Sequence, residues 1–209
     1  MVGQGVLGEC LLDPEVESIL SIVRRPSGKV HPKLQELVHS DFFDYSSIAE
    51  KFKGYDACFF CLGVSSAGMK EPAYRRVTYD LTMAAAQTLV AQNPEMTFIY
   101  VSGASTDSSA VGSVMWARVK GETENALLKL PFKEAYMFRP GYIHPMNGIK
   151  SSARLTRVLY AVLRPFYPVM KAVIPKLVTT TTQLGRAMLQ IAKQGTSKQV
   201  LENRDINKL

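Results

Sequence analysis

A hydroxyl, an indole and an amine lie close together in the middle of the chain, where they could meet a small organic ligand. Ser102 follows an apolar segment that reads as a buried strand, and the pentapeptide Trp116-Ala117-Arg118-Val119-Lys120 begins the next helix. Trp116 and Lys120 are four residues apart in the sequence and therefore share one helical face. The indole N–H donates hydrogen bonds but has no proton to exchange near neutral pH. Trp116 is therefore not a proton donor for this group.

Strand and helix signals alternate along most of the chain, which predicts an α/β fold with a parallel sheet and helices on both faces. Strands are predicted at 16–23, 34–38, 56–62, 96–101 and 135–139, and helices at 1–12, 45–52, 71–92 and 114–130. After Arg154 prolines break the helical pattern, and we expect a loop at 179–182, a helix at 183–194 and an edge strand at 198–201. The prediction is one domain, 1–209, with 151–195 as a small C-terminal helical lobe.

The composition is that of an ordinary globular protein of 209 residues, with 46% hydrophobic and 21% charged residues. The chain has three cysteines, an odd number that cannot all pair in disulfides. This number is typical of a protein in the reducing interior of a cell. Cys58 and Cys61 have CxxC spacing, but a strand would point them to opposite faces, which argues against zinc or redox use. The N-terminus shows no basic region followed by an apolar core, and we expect a cytoplasmic protein.

The positive charge is concentrated in the C-terminal third of the chain. Residues 135–201 contain ten Lys or Arg and no Asp or Glu, within a net charge of +7 for the whole chain. One interpretation is a solvated helical face with a pocket for an anionic ligand. Another is an acidic protein partner or an anionic membrane surface that binds residues 150–176. Nucleic acid is not an expected partner, because no nucleic-acid-binding motif is present.

The first residues, Met1-Val2-Gly3-Gln4-Gly5, resemble the end of a dinucleotide-binding fingerprint, with Gly3 as its third glycine. Together with the Ser102, Trp116 and Lys120 pattern, they make the chain similar to the atypical, epimerase-like branch of the short-chain dehydrogenase/reductase superfamily. The likeness is greatest to its Tat-interacting-oxidoreductase-like and NmrA-like NAD(P)-binding proteins. The resemblance implies a Rossmann-like, doubly wound parallel sheet. It also implies that the first strand and two phosphate-facing glycines would precede residue 1, so that this shortened chain would bind a dinucleotide less well. Alternatively, the glycines only form a loose N-terminal helix.

The resemblance assigns the adenosine half of a dinucleotide to residues that follow three strands. Arg24 and Arg25 follow the second strand of the family, where two bases and no acid favour NADP, with NAD as the alternative. Asp41 follows the third strand, where it would face the adenine amine. Leu62 and Gly63 follow the fourth strand, where the backbone passes close to the ribose. The alternatives are a solvated strand end for the arginines and a helix cap or turn for Asp41.

The resemblance also assigns the reacting half of the ligand. Ser102, or Ser105 if the register differs, would polarise the substrate, and Lys120 would bind the nicotinamide ribose. Trp116 stands where the family has its tyrosine, which is the general acid or base. The segment after the sixth strand would close over the nicotinamide through Pro140, Gly141 and Ile143.

Two functions from different classes follow from this pattern. The first is an NADP-dependent oxidoreductase or epimerase-like enzyme acting on a small carbonyl or sugar-like substrate, with its activity in question because of Trp116. The second is a non-catalytic protein that senses a dinucleotide or binds a partner. Substitute proton donors for the enzyme would be Tyr79, Tyr142 or His144.

Overall fold

Parallel strands flanked by helices make up an α/β fold of the Rossmann type in the computed structural model, which describes residues 1–149 and 167–209. The strands are β1 (Ile19–Val23), β2 (Leu34–Val38), β3 (Ala57–Phe60), β4 (Thr97–Val101), β5 (Glu134–Arg139), β6 (Tyr142–His144), β7 (Val178–Thr180) and β8 (Val200–Glu202). The α-helices are α1 (Val2–Leu12), α2 (Glu71–Arg75), α3 (Leu81–Gln92), α4 (Met115–Leu127), α5 (Tyr167–Val173), α6 (Thr181–Gln194) and α7 (Asn203–Ile206). A π-helical turn, Arg76–Asp80, joins α2 to α3, and 3₁₀ helices span Ser46–Phe52 and Pro175–Leu177.

Every strand pair in the described part of the chain is parallel, as the alternating pattern predicted. Four strands form the larger sheet in the order β3-β4-β5-β8, and β1 pairs with β2 in a separate sheet. A third pair, β6 with β7, lies after the end of β5. The edge strand predicted near the C-terminus is confirmed as β8, which pairs with β5.

Two differences from the sequence prediction lie between β5 and α6. The predicted loop at 179–182 is wrong, because Val178–Thr180 forms β7 and the next residue already begins α6. Thr180 caps that helix by accepting a hydrogen bond from the Gln183 backbone N–H at 3.0 Å. The sequence analysis also missed β6, since a three-residue strand is too short to show a period of two.

Alternate residues of the central strands fill two apolar clusters, one on each face of the larger sheet. In β4, Phe98 and Tyr100 belong to the first cluster and Ile99 to the second, as the two-residue period of a strand requires. Helix α3 covers the first face, and α1 and α6 cover the second. The side chains of α6 that lie there are fully buried (Leu184, Ala187, Met188 and Ile191).

The C-terminal segment is described only in part, because residues 150–166 lie outside the described residues. The predicted lobe at 151–195 therefore falls partly outside them, as do Arg154, Arg157 and Arg164. In the described remainder, α6 packs on the sheet with α1. None of the helices in residues 1–149 and 167–209 has the length and apolar content needed to cross a bilayer.

Two glycines allow α1 and α6 to pack closely. A Cβ at Gly5 would lie 2.7 Å from the backbone oxygen of Thr181, and one at Gly185 would lie 3.1 Å from the backbone oxygen of Gly5. Glu9 on α1 also pairs with Arg186 on α6 at 2.9 Å. These contacts fix the position of α1 against α6.

We predict that Gly5→Ala lowers the free energy of unfolding by about 1–3 kcal/mol, because its methyl group would push the two helices apart. Gly8→Ala on the same helix is the matched control, since a Cβ there has no neighbour within 4 Å. That control should be neutral or raise stability by up to about 1 kcal/mol through helix propensity. Urea unfolding of both variants measures the difference, and equal stability would refute the close packing.

Candidate functional site

The candidate site lies where the carboxyl ends of the strands meet the first turn of α1. A Cβ at Gly3 would lie 3.3 Å from the Cβ of Cys61, which directly follows β3. Helix α1 therefore starts at this edge of the sheet and runs away from it, and β1 returns toward it. The segments after β4 and β5 reach the same edge, because both strands are parallel to β3.

Ser102 is buried and its hydroxyl is committed to protein partners. The hydroxyl donates to the Glu124 carboxylate at 2.5 Å and also lies 3.2 Å from the backbone oxygen of Phe138. Its backbone N–H donates to the same oxygen at 2.9 Å, which extends the pairing of β4 with β5. In this structure Ser102 therefore joins α4 to the sheet.

Glu124 is the acid at the centre of this arrangement, and it pairs with Arg139 at the end of β5. Both side chains are buried, and the guanidinium reaches the carboxylate through its Nε, at 3.1 and 3.2 Å from the two oxygens, and through Nη2. Arg139 also donates to Ser108 at 2.6 Å and to Glu202 at 3.2 Å. Such a buried pair is stable only when its remaining donors and acceptors are satisfied, and here they are shared among four elements.

Lys120 is half-buried one helical turn before Glu124. Its amine donates to the backbone oxygen of Ser102 at 2.5 Å and lies 6.0 Å from the centre of the Tyr100 ring. Burial lowers the pKa of the amine to about 8, and the nearby Glu124 charge opposes that shift. The structure therefore places the lysine amine at the end of β4, where it can lose its proton slightly above neutral pH.

Trp116 lines a cavity of about 270 Å³ one turn before Lys120. The other lining residues are Ser105, Asp107, Gly112, Ser113, Val114 and Ala117. The loop that supplies them packs tightly on α4, since a Cβ at Gly121 would lie 1.7 Å from the backbone oxygen of Asp107. Ser105 has φ 66° and lies in this cavity, whereas the hydroxyl of Ser102 is directed into the buried network.

The residues predicted for the adenosine half lie on exposed segments. Arg24 and Arg25 are exposed directly after β1, and no carboxylate in residues 1–149 or 167–209 pairs with either guanidinium. Asp41 follows β2, where its carboxylate accepts the backbone N–H of Phe43 at 2.8 Å, the turn geometry that was the alternative interpretation. Leu62 and Gly63 are exposed after β3, and a Cβ at Gly63 would meet nothing within 4 Å.

The residues predicted to close over the nicotinamide are held by other parts of the protein. The oxygen of Pro140 accepts the backbone N–H of Ala104 at 2.8 Å. Gly141 donates its N–H to Asn203 at 2.8 Å, and a Cβ there would lie 2.3 Å from the oxygen of Leu177. Ile143 is buried in the second apolar cluster. These contacts fix the backbone at the end of β5.

The alternative proton donors are dispersed. His144 is stacked on the Tyr167 ring at 3.8 Å between centroids, and Tyr142 precedes it on β6. Tyr79 lies under the Arg75 guanidinium at 4.2 Å. Cys58 and Cys61 pack against opposite apolar clusters, as predicted for a strand, and burial raises the pKa of each thiol to about 12.

Sequence reasoning missed Glu124, although a signal for it was available. Glu124 follows Lys120 by four residues and Trp116 by eight, so the three side chains share one face of α4. A buried arginine at the end of β5 requires an acid nearby, and this face of α4 supplies it.

We predict that the Lys120 amine titrates near pH 8 instead of near 10.5. Between these values the unfolded chain binds more protons than the folded one, so the free energy of unfolding should rise with pH across that interval. NMR titration of the lysine Cε groups measures the pKa, and Lys120→Arg assigns the signal. In Lys120→Met the rise in stability should disappear. A midpoint at the ordinary lysine value would contradict the burial of this amine.

The chain shares sequence with curated proteins. Protein HTATIP2 of Rattus norvegicus is 31% identical over 109 residues, which cover 52% of this chain and 43% of that protein. The chain thus matches less than half the length of this relative. No family model matches the chain.

Solved structures share the fold over nearly the whole chain. The Bordetella bronchiseptica enzyme WbmF, in complex with NAD⁺, has a TM-score of 0.63 at 12% identity, over 99% of this chain and 73% of that one. A short-chain dehydrogenase/reductase family oxidoreductase from Burkholderia thailandensis has a TM-score of 0.60 at 14% identity, over 92% of this chain and 81% of that one. These likenesses show that the chain has a Rossmann-type α/β fold like that of these dinucleotide-binding and short-chain dehydrogenase/reductase proteins.

Proposed function

We propose that this chain binds NAD(P) at the carboxyl edge of its sheet and that it acts as a dinucleotide-sensing or partner-binding protein with little turnover of its own. The observation that carries the proposal is the position of Trp116, one turn before Lys120 at the end of β4. Lys120, which would hold the nicotinamide ribose, is present. The side chain that would exchange a proton is replaced by the indole of Trp116.

The residues at this edge fit a dinucleotide. The start of α1 directs backbone N–H groups toward the edge, where a pyrophosphate would bind. Leu62 and Val64 are 42% and 51% exposed there, and they provide apolar surface for a ribose or an adenine. Gly63 between them leaves room for close approach. When bound, the dinucleotide would supply or accept a hydride, and the protein would orient it.

NADP is the preferred form of the cofactor in this proposal. Arg24 and Arg25 are exposed at the end of β1 and carry no carboxylate partner among the described residues, so both guanidiniums are available to a 2′-phosphate. A bound 2′-hydroxyl would instead favour an acid at this position. Asp41, the acid that follows β2, accepts a backbone N–H within its own turn.

Little turnover is expected because the hydroxyl and the amine that would act on a substrate already make hydrogen bonds within the protein. The Ser102 hydroxyl donates to Glu124, and the Lys120 amine donates to the Ser102 backbone oxygen. Trp116 can donate a hydrogen bond to a carbonyl oxygen but cannot transfer a proton to it. The loss of a positioned general acid typically lowers a rate by about 10²–10⁴-fold.

An oxidoreductase or epimerase-like enzyme is the second candidate, and Lys120 is the observation that favours it. Its pKa of about 8 suits proton exchange near neutral pH. Ser105, which lines the cavity beside Trp116, would then replace Ser102 as the hydroxyl that contacts the substrate. The substrate would be a small carbonyl or sugar-like compound.

An acidic protein partner, or alternatively an anionic membrane, is proposed for the basic segment 150–176. Its described part ends in exposed Lys171 and Lys176, with Val173 and Ile174 exposed between them. A cytoplasmic location belongs to the same proposal and is supported by the free thiols of the cysteines.

The test is a titration of NADPH and NADH followed through Trp116, the single tryptophan of the chain. Its emission overlaps the absorption of the reduced nicotinamide, so binding nearby quenches the indole. We predict saturable NADPH binding that the double variant Arg24→Ala/Arg25→Ala weakens by about tenfold or more, because charge-assisted hydrogen bonds contribute about 1.5–3 kcal/mol. NADH binding should change little.

Arg204→Ala is the control for this titration, since Arg204 is an exposed arginine on α7. Its NADPH affinity should equal that of the unaltered chain. An absence of saturable binding of either nucleotide would contradict the proposal. Equal NADPH affinity in the double variant would contradict the assignment of the 2′-phosphate to the arginine pair.

A further inference from the structure

Two stretches of the chain share one pattern, a pair of arginines with a hydroxyl two residues after the second. These are Arg24-Arg25-Pro26-Ser27 and Arg75-Arg76-Val77-Thr78. Protein kinases with an acidic substrate groove select a serine or threonine that follows arginines in this way, because the guanidiniums bind in the groove. The kinase must also enclose the hydroxyl, which requires a segment that is exposed and free to change its backbone conformation. The structure distinguishes the two stretches on this requirement.

Ser27 lies on a segment that meets the requirement. Residues 24–30, which follow β1, are all exposed, and none of them makes a backbone–backbone hydrogen bond within the described part of the chain. The Ser27 backbone N–H donates to the Glu36 carboxylate at 2.9 Å, and its hydroxyl accepts the Lys29 N–H at 3.2 Å. Both contacts are exposed to water. Such a segment opens locally at little cost and can be drawn into the groove of an enzyme.

Thr78 lies on a segment that does not meet the requirement. The residue is 7% exposed and belongs to the π-helical turn between α2 and α3. Its arginines are engaged, since Arg75 pairs with the Glu122 carboxylate at 2.6 Å and Arg76 lies 5.0 Å from the centre of the Phe43 ring. A kinase would have to unfold this helical run before it could reach the hydroxyl.

The arginines that precede Ser27 are available to a phosphate on that residue. Among the ion pairs of residues 1–149 and 167–209, none includes Arg24 or Arg25. They precede Ser27 by three and two residues, so their Cα atoms lie within about 11 Å of it even in an extended chain. Phosphoserine carries a charge of about −1.5 to −2, and its oxygens accept hydrogen bonds in the geometry that guanidiniums offer. The arginine pair can therefore bind a phosphate on its own segment.

We propose that Ser27 is a phosphorylation site for an arginine-directed protein kinase, and that its phosphate occupies the arginine pair assigned above to the 2′-phosphate of NADP. In the transfer, the Ser27 oxygen bonds to the γ-phosphorus of ATP while the bond from that phosphorus to the β,γ-bridging oxygen breaks. ADP leaves, and the hydroxyl proton passes to the catalytic aspartate of the kinase. The consequence for NADP rests on the proposed function, whereas the modification site does not.

Phosphorylation would also separate Ser27 from Glu36 on β2. The Glu36 carboxylate accepts the Ser27 N–H, and a phosphate on the same residue repels that carboxylate. The segment is then released to turn its phosphate toward Arg24 and Arg25. NADPH should bind less tightly as a result, because its 2′-phosphate needs the same guanidiniums. NADH has no 2′-phosphate, and its binding should not change.

The test is phosphorylation of the folded chain with ATP and the catalytic subunit of cyclic-AMP-dependent protein kinase, with the phosphate located by mass spectrometry. We expect phosphate on Ser27 and at least about tenfold less on Thr78, whose segment is closed. Arg25→Ala should slow phosphorylation of Ser27 by about tenfold or more, because one of the two recognised charges is lost. A synthetic peptide of residues 72–81 is the matched control, since it has the second pattern without the helix, and Thr78 should be phosphorylated there.

NADPH and NADH are then titrated into the phosphorylated chain, again through the emission of Trp116. The NADPH affinity should fall by about tenfold or more, while the NADH affinity should stay the same. A folded chain in which Ser27 takes up no phosphate, or no more than Thr78, would overturn the modification site. Phosphate on Ser27 with unchanged NADPH affinity would overturn its link to the arginine pair. If the unmodified chain binds neither nucleotide, the proposed function is wrong, and phosphate on Ser27 still supports the modification site.

Discussion

The buried ion pair between Glu124 and Arg139 is the interaction on which the candidate site depends. It ties α4 to the end of β5, and the same carboxylate accepts the hydroxyl of Ser102 at the end of β4. Both charges are removed from water, so the loss of either partner would leave the other buried and uncompensated, at a cost of about 3–5 kcal/mol. Because Trp116 and Lys120 occupy the same helical face, this pair sets their position relative to the strand ends.

The same interaction supports the proposal that the chain binds a dinucleotide with little turnover. A serine that polarises a substrate needs a free hydroxyl, whereas the hydroxyl of Ser102 is held by a buried carboxylate. An amine that binds a ribose needs a free donor, and two donors remain on Lys120 after its bond to the Ser102 oxygen. Ligand binding at this edge is therefore better supported than proton transfer. The exposed arginine pair after β1 and the exposed apolar residues after β3 also favour ligand binding over proton transfer.

Most of the fold could be predicted because its signals are local. The β2 boundaries match the prediction, and the continuous helical run Glu71–Gln92 was predicted as one helix, although the π-helical turn Arg76–Asp80 interrupts it. The loop at 179–182 was mispredicted because a run of threonines suits a strand as well as a turn, and the β-branched side chains should have favoured the strand. The separation of β1 and β2 from the larger sheet and the role of Glu124 depend on contacts between distant residues, which periodicity does not reveal.

The most direct measurement is NADPH consumption by the unaltered chain and by Trp116→Tyr over a panel of small carbonyl compounds. If the indole is what removes turnover, the unaltered chain should bind NADPH without consuming it. The tyrosine variant should then oxidise it faster by up to about 10²–10⁴-fold, the usual contribution of a general acid. Measurable consumption by the unaltered chain at a rate that Trp116→Tyr does not raise would contradict the claim, because another residue would then be supplying the proton.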